Sequence, residues 1–128
     1  VYNYAASVYQ DVSKKTISGR ETEARVLTEA ARRLVQVQQS WEAPNRETLL
    51  DEALRYNQQL WSLLQTELVQ EENPLPKKLR MDMLRLSRFI DKRIYEIMAF
   101  PTSEKLNIII DINQNLAAGL RGSASPES

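Results

Sequence analysis

Prolines at 44, 74, 76 and 101 divide the chain into long stretches that contain none. A proline inside a helix removes a hydrogen bond and clashes with the preceding turn, at a cost of about 3 kcal/mol. Each of these positions therefore marks an element boundary, and whatever lies between them must be built in separate pieces. Between the breaks, Leu, Ala, Glu, Gln, Arg and Lys dominate and β-branched runs are scarce, so summed intrinsic preference points to helix. A continuous coiled coil would need its heptad to run through the prolines, and it does not.

The apolar spacing then places the pieces. Ser18 and Glu21 read as a capping box, followed by Ala24, Leu27, Ala31, Leu34 and Trp41 on one face, which predicts a first long helix over 19–41. Asn45 is placed to cap a second, whose buried stripe reads Leu50, Ala53, Leu54, Asn57, Leu60, Trp61, Leu64 and Leu68, ending near Gln70. Pro76 suits the start of a third, with Leu79, Met83, Leu86, Ile90, Ile94 and Ile97 facing inward and a stop at Phe100 ahead of Pro101. A fourth begins near Thr102 or Ser103 and buries Leu106, Ile109, Ile110, Leu116, Ala117 and Leu120, with Ile108 and Ile112 widening the stripe until Gly122 terminates it. The opening residues 1–12, with Tyr2, Tyr4, Val8 and Tyr9, suit a short helix or an arm packed on the body.

Four helices with short connections imply antiparallel neighbours, hence an all-α, four-helix-bundle-like single domain over 1–121 with a flexible tail over 122–128. The 128 residues and 42% hydrophobic content are enough for one cooperative core.

Composition removes several kinds of function. The chain has no Cys and no His, so it offers no disulfide framework, thiolate site or imidazole for metal binding or proton transfer near neutral pH. Three scattered glycines build no phosphate cradle. Asp111, Asn113 and Asn115 imitate the start of a calcium loop, but Leu116 stands where the turn glycine belongs and Gly122 where the closing Glu does. No acid, base and nucleophile converge, so no enzyme and no cofactor is expected. No stretch is long and apolar enough for a membrane span and no signal-peptide pattern opens the sequence, which points to the cytoplasm.

Seventeen basic residues balance seventeen acidic ones, so no global field draws the chain to nucleic acid. Lys78, Arg85, Arg88 and Lys92 do form a basic edge on the third helix. Residues 47–72 carry six acidic and one basic side chain while 77–93 carry seven basic and two acidic, so mutual complementation of neighbouring helices accounts for much of that edge and argues against direct RNA binding. What exceeds the needs of a four-helix core is apolar surface: Met81, Leu84, Phe89, Tyr95 and Met98 on the third helix, Ile108 and Ile112 on the fourth. Such a surplus suits a groove for a partner's helix.

Taken together, the run Leu54-Arg55-Tyr56-Asn57-Gln58-Gln59-Leu60-Trp61, the connector Leu75-Pro76-Lys77-Lys78-Leu79-Arg80, the segment Leu86-Ser87-Arg88-Phe89-Ile90-Asp91-Lys92-Arg93 and the segment from Ile110 and Asp111 through Asn113 and Asn115 to Leu120 resemble the FlaF family of alphaproteobacterial flagellar biosynthesis regulators, from Tyr9 to Leu120. The resemblance implies a factor needed for flagellin synthesis and secretion, a flagellin-binding, chaperone-like protein acting alongside the translational regulator FlbT. Flagellin's terminal segments are amphipathic and disordered until assembly, and a helical scaffold with an apolar groove suits them. On that reading, Arg80, Phe89, Asp91, Arg93, Tyr95, Ile108, Ile112, Asn113 and Asn115 form the partner-binding face. The polar members have an equal alternative as internal braces, through Arg93 to Asp111 or Asp91 to Arg80 contacts. Two other functions fit the same surface: an RNA-linked post-transcriptional regulator acting with FlbT on flagellin mRNA, and a structural homodimer.

Overall fold

The computed structural model describes residues 16–124, and side chains over 20–122. Four long helices, α1 (Thr16–Gln39), α2 (Arg46–Leu68), α3 (Lys77–Ala99) and α4 (Asn107–Ala124), follow one another with short connections, the last through a 3-10 turn at Ser103–Leu106. No strand is present among the described residues. The all-α, four-helix expectation holds. The arm expected over 1–12 lies outside the described residues, as do residues 125–128.

The proline boundaries hold closely. Pro76 sits at the N-cap of α3 with extended ψ, and Phe100, held extended ahead of Pro101, closes it. The α2 stripe holds at every position: Leu50, Ala53, Leu54, Asn57, Leu60, Trp61, Leu64 and Leu68 are its buried residues.

Other ends shift. Backbone at Ser18 is already helical, because α1 starts at Thr16, so Ser18 does not stand at the cap position. Trp41 falls in the turn after α1 and lies half-buried under the Arg46 guanidinium, 4.4 Å from the ring centroid. Asn45 occupies the N-cap of α2, yet its side chain makes no capping bond. Gly122 does not end α4, which runs to Ala124: Arg121 reaches Thr28 Oγ1 and the Glu21 carboxylate on α1 and holds the last turn.

The core runs the full length of the bundle, from Ala24, Leu27 and Leu34 through Leu54, Trp61 and Leu64 to Ile90, Ile94, Ile109 and Leu120. Its seams are unequal. The α1–α4 seam is the most intimate, α1–α2 and α2–α3 are well packed, and α3 scarcely meets α4 beyond the turn that joins them. The first seam has a sequence cause. Thr28 and Gln38 bond Arg121 and Asn107, which identifies the α1 face towards α4 as Ala24, Thr28, Ala31, Val35 and Gln38. The reciprocal line on α4 is Asn107, Ile110, Gln114, Ala117 and Arg121. Ala24, Ala31 and Ala117 are the small buried residues that let these backbones approach.

Ion pairs lie almost wholly within single helices. Asp51 pairs with Arg55, and Asp82 takes both Lys78 and Arg85. The expected complementation between an acidic α2 and a basic α3 is absent among the described residues: Asp51, Asp82 and Glu96 each pair with a cation three or four residues away on their own helix, and no ion pair joins α2 to α3.

Candidate functional site

With the α1 side of α4 fixed, its opposite flank follows from the helical spacing of about 100° per residue. That flank carries Ile108, Ile112, Asn115, Leu116 and Gly119, turned away from α1. On α3, Arg80 Nη1 donates to the Leu68 and Gln70 carbonyls at 3.3 and 2.7 Å, so its side of the helix looks towards α2. The other side carries Leu79, Leu86, Phe89 and Arg93 and is turned away from α2. Among the described residues the α3 and α4 backbones seldom come close, and these two flanks border the wider seam between them.

The seam is apolar along its floor. Leu79, Leu86, Ile112 and Leu116 are half-buried against the core, while Phe89 and Ile108 stand higher, each 38% exposed. Arg93 lies over the Phe89 ring, 5.5 Å to the centroid, and pairs with Glu96 at 3.7 Å. Its Nε is buried without a hydrogen-bond acceptor. Asn115 is exposed on the facing rim. Gly119 leaves open space where a Cβ would stand.

Five of the nine expected site residues stand on these two flanks: Phe89 and Arg93 on α3, Ile108, Ile112 and Asn115 on α4. Four are not. Asp91 and Tyr95 lie on the outer shoulder of α3, since positions 91 and 93 point roughly opposite ways on a helix. Asp91 titrates above its usual range because partial burial disfavours its charge. Arg80 is spent on the carbonyls that end α2, where a cation is well placed.

Asn113 is fully buried and faces inward. Its Nδ2 donates to Asn57 Oδ1 at 2.7 Å, and its Oδ1 accepts from Trp61 Nε1 at 3.0 Å. Asn57 Nδ2 in turn donates to the Ala30 and Ala53 carbonyls at 3.2 and 2.9 Å. This chain of bonds ties α1, α2 and α4 at the centre of the bundle and gives the side-chain nitrogen and oxygen of both amides a partner. Asn113 is an internal brace, and the Arg93 to Asp111 and Asp91 to Arg80 contacts do not form, because Arg93 turns to Glu96 and Arg80 to α2.

Leu86 and Leu116 belong to the seam although their spacing reads as plain core. The signal that marks them is adjacency to Phe89 and Ile112 on the same flank, which becomes visible only once the neighbouring helices are assigned. Asp111, Asn113 and Asn115 lie on a continuous helix with the middle residue buried, so they form no calcium loop. Among the described residues no three carboxylate, imidazole or thiol side chains gather, and no helix is long and apolar enough to cross a membrane.

Neither the curated proteins nor the solved structures compared with the chain gave a match. The family model for flagellar protein FlaF matches residues 5–120, which takes in all four seams and both flanks of the open one. The chain belongs to the FlaF family of flagellar proteins.

Proposed function

We propose that the chain is a holding protein for unpolymerised flagellin, acting in the cytoplasm before export and without catalysis. An amphipathic segment of flagellin lies along the α3–α4 seam, its apolar stripe on Leu86, Phe89, Ile108, Ile112 and Leu116, and its polar edges near Arg93 and Asn115. What supports this reading is the wide seam: among the described residues, α3 and α4 are the consecutive helices whose backbones approach least, and partly exposed apolar residues stand on a flank of each. At a rise of 1.5 Å per residue, the 18 residues of α4 offer a track of roughly 27 Å, room for about five turns of a guest helix.

Sequestration links the two outcomes that the family resemblance implies. A chain that shields flagellin's terminal segments keeps them from assembling early and hands them to export, and the free flagellin it removes is a signal to which synthesis, with FlbT, can respond. Seating an apolar stripe in a preformed groove gives an affinity that tolerates salt, unlike binding built on phosphate contacts.

Titration of the chain with the separated amino- and carboxy-terminal segments of flagellin tests this, with hydrogen exchange on the chain and circular dichroism on the peptide. One segment is expected to gain helix and to slow exchange along α3 and α4. Protection centred on α1, or neither effect, would refute the seam as the binding site.

A further inference from the structure

Helix α3 carries a second stripe that lies apart from the α3–α4 seam and touches the core only through Leu84. Met81, Leu84, Arg88, Asp91, Tyr95 and Met98 recur at spacings of three and four, the pattern of an a/d seam, along the outer shoulder of the helix. Leu84 is half-buried at its base; Met81, Tyr95 and Met98 are 44%, 76% and 46% exposed. Large apolar side chains at this spacing on an outer face call for a cover.

The order of residues says what the cover is. Read from either end, the stripe runs Met, then a bulky apolar residue, then a charge, and the two central charges have opposite sign. Rotating a second α3 antiparallel about the midpoint between residues 89 and 90 sets Met81 against the second copy's Met98, Leu84 against its Tyr95, and Arg88 against its Asp91. In an antiparallel pair of helices, a positions meet d positions, which is the layer order this register produces. Neither Arg88 nor Asp91 has an ion-pair partner among the described residues, although every other acidic side chain of α3 is paired on its own helix.

We propose that two copies of the chain associate through this stripe as an antiparallel α3–α3 dimer, with a reciprocal Arg88–Asp91 pair at its two-fold axis. The contact is isologous, so closure follows from the symmetry and no open filament forms. It is also weak. The flanking Arg85 and Lys92 face their counterparts across the solvated rim, and one helix from each copy buries less than a standard interface. The stripe lies on the far side of α3 from the α3–α4 seam, so the dimer does not rest on the flagellin reading.

Sedimentation equilibrium on the chain alone, over micromolar to millimolar concentrations, provides the first test. The chain is expected to show a monomer–dimer equilibrium, and Asp91→Arg or Arg88→Asp to raise the dissociation constant at least about tenfold, equivalent to about 1.4 kcal/mol. The double variant Arg88→Asp with Asp91→Arg restores association. A chain that stays monomeric throughout, single reversals without effect, or a double variant that fails to recover would overturn the proposal. Circular dichroism confirms that each variant is folded, as exposed positions allow.

Because the chain has no cysteine, register can be read separately. Leu84→Cys chains mixed with Tyr95→Cys chains should form a disulfide under mild oxidant. Leu84→Cys alone should not, since two copies of position 84 would stand eleven residues apart along the pair, roughly 16 Å. Equal crosslinking of Leu84→Cys with itself would contradict the register.

Discussion

Helix α4 meets its two neighbours in opposite ways. Towards α1 it presents Ile110, Ala117 and Arg121, and small residues on both helices bring the backbones close, with polar locks at each end where Gln38 Nε2 donates to Asn107 Oδ1 and Arg121 reaches Glu21. Away from α1 it carries Ile108, Ile112 and Leu116, and among the described residues no helix backbone comes as close on that flank as α1 does on the other. One helix therefore serves as structure on one flank and as available surface on the other. The difference teaches that an apolar residue beside a helix's buried stripe is a candidate contact only where the neighbouring seam stays open.

The brace that holds α4 between these flanks should show the largest effect when broken. Trp61→Ala removes a fully buried ring and strands Asn113 Oδ1, and a loss of about 3–5 kcal/mol in urea unfolding is expected. Next comes the closed seam. Ala117→Leu forces bulk into the α1–α4 contact and should cost about 1–3 kcal/mol by the same measurement, whereas a closed seam that absorbed it freely would mean the contrast is overstated.

The open flank should respond with the other sign. Gly119→Ala adds a Cβ into empty space within a helix and should stabilise by about 0.5–1 kcal/mol in thermal melts. A destabilisation would show that something already fills the seam.

The smallest effect concerns the outer face of α1. Glu29 is held at about 2, first by the Arg32 hydrogen bond, against an ordinary 4.5. A carboxylate with a depressed folded pKa contributes its full stability above its unfolded value and loses it as pH falls towards the folded one. Stability should therefore fall as pH drops from about 4.5 to about 2, and Glu29→Gln should flatten that part of the curve, modestly because both partners are solvated.

How much of this could be read from residues alone differs along the chain. All eight buried positions of α2 follow from apolar spacing, because that helix lies between α1 and α3 and its inner face is a single stripe. The prolines locate Phe100 and Pro76 as ends because their effect is local and steric. The reading of Gly122 as a stop fails for the opposite reason: what holds the last turn of α4 is Arg121 meeting α1, a contact between residues ninety-three apart. The site is intermediate. Phe89 and Ile108 stand out as surplus apolar surface, but grouping Asp91 with Arg93 required knowing which side of α3 faces α4, and that depends on tertiary neighbours. Asn113 looks like a surface amide until Asn57 and Trp61 are placed beside it.

The most direct test of the central claim is calorimetry of the chain against monomeric flagellin at low and high salt, repeated with Phe89→Ser and Ile108→Ser, which remove apolar contacts in the seam but spare the bundle's centre. A saturable complex that persists in high salt and weakens at least about tenfold in both variants is the expected result. No complex, or one that the two substitutions leave unchanged, would contradict the assignment of the α3–α4 seam as the place where flagellin is held.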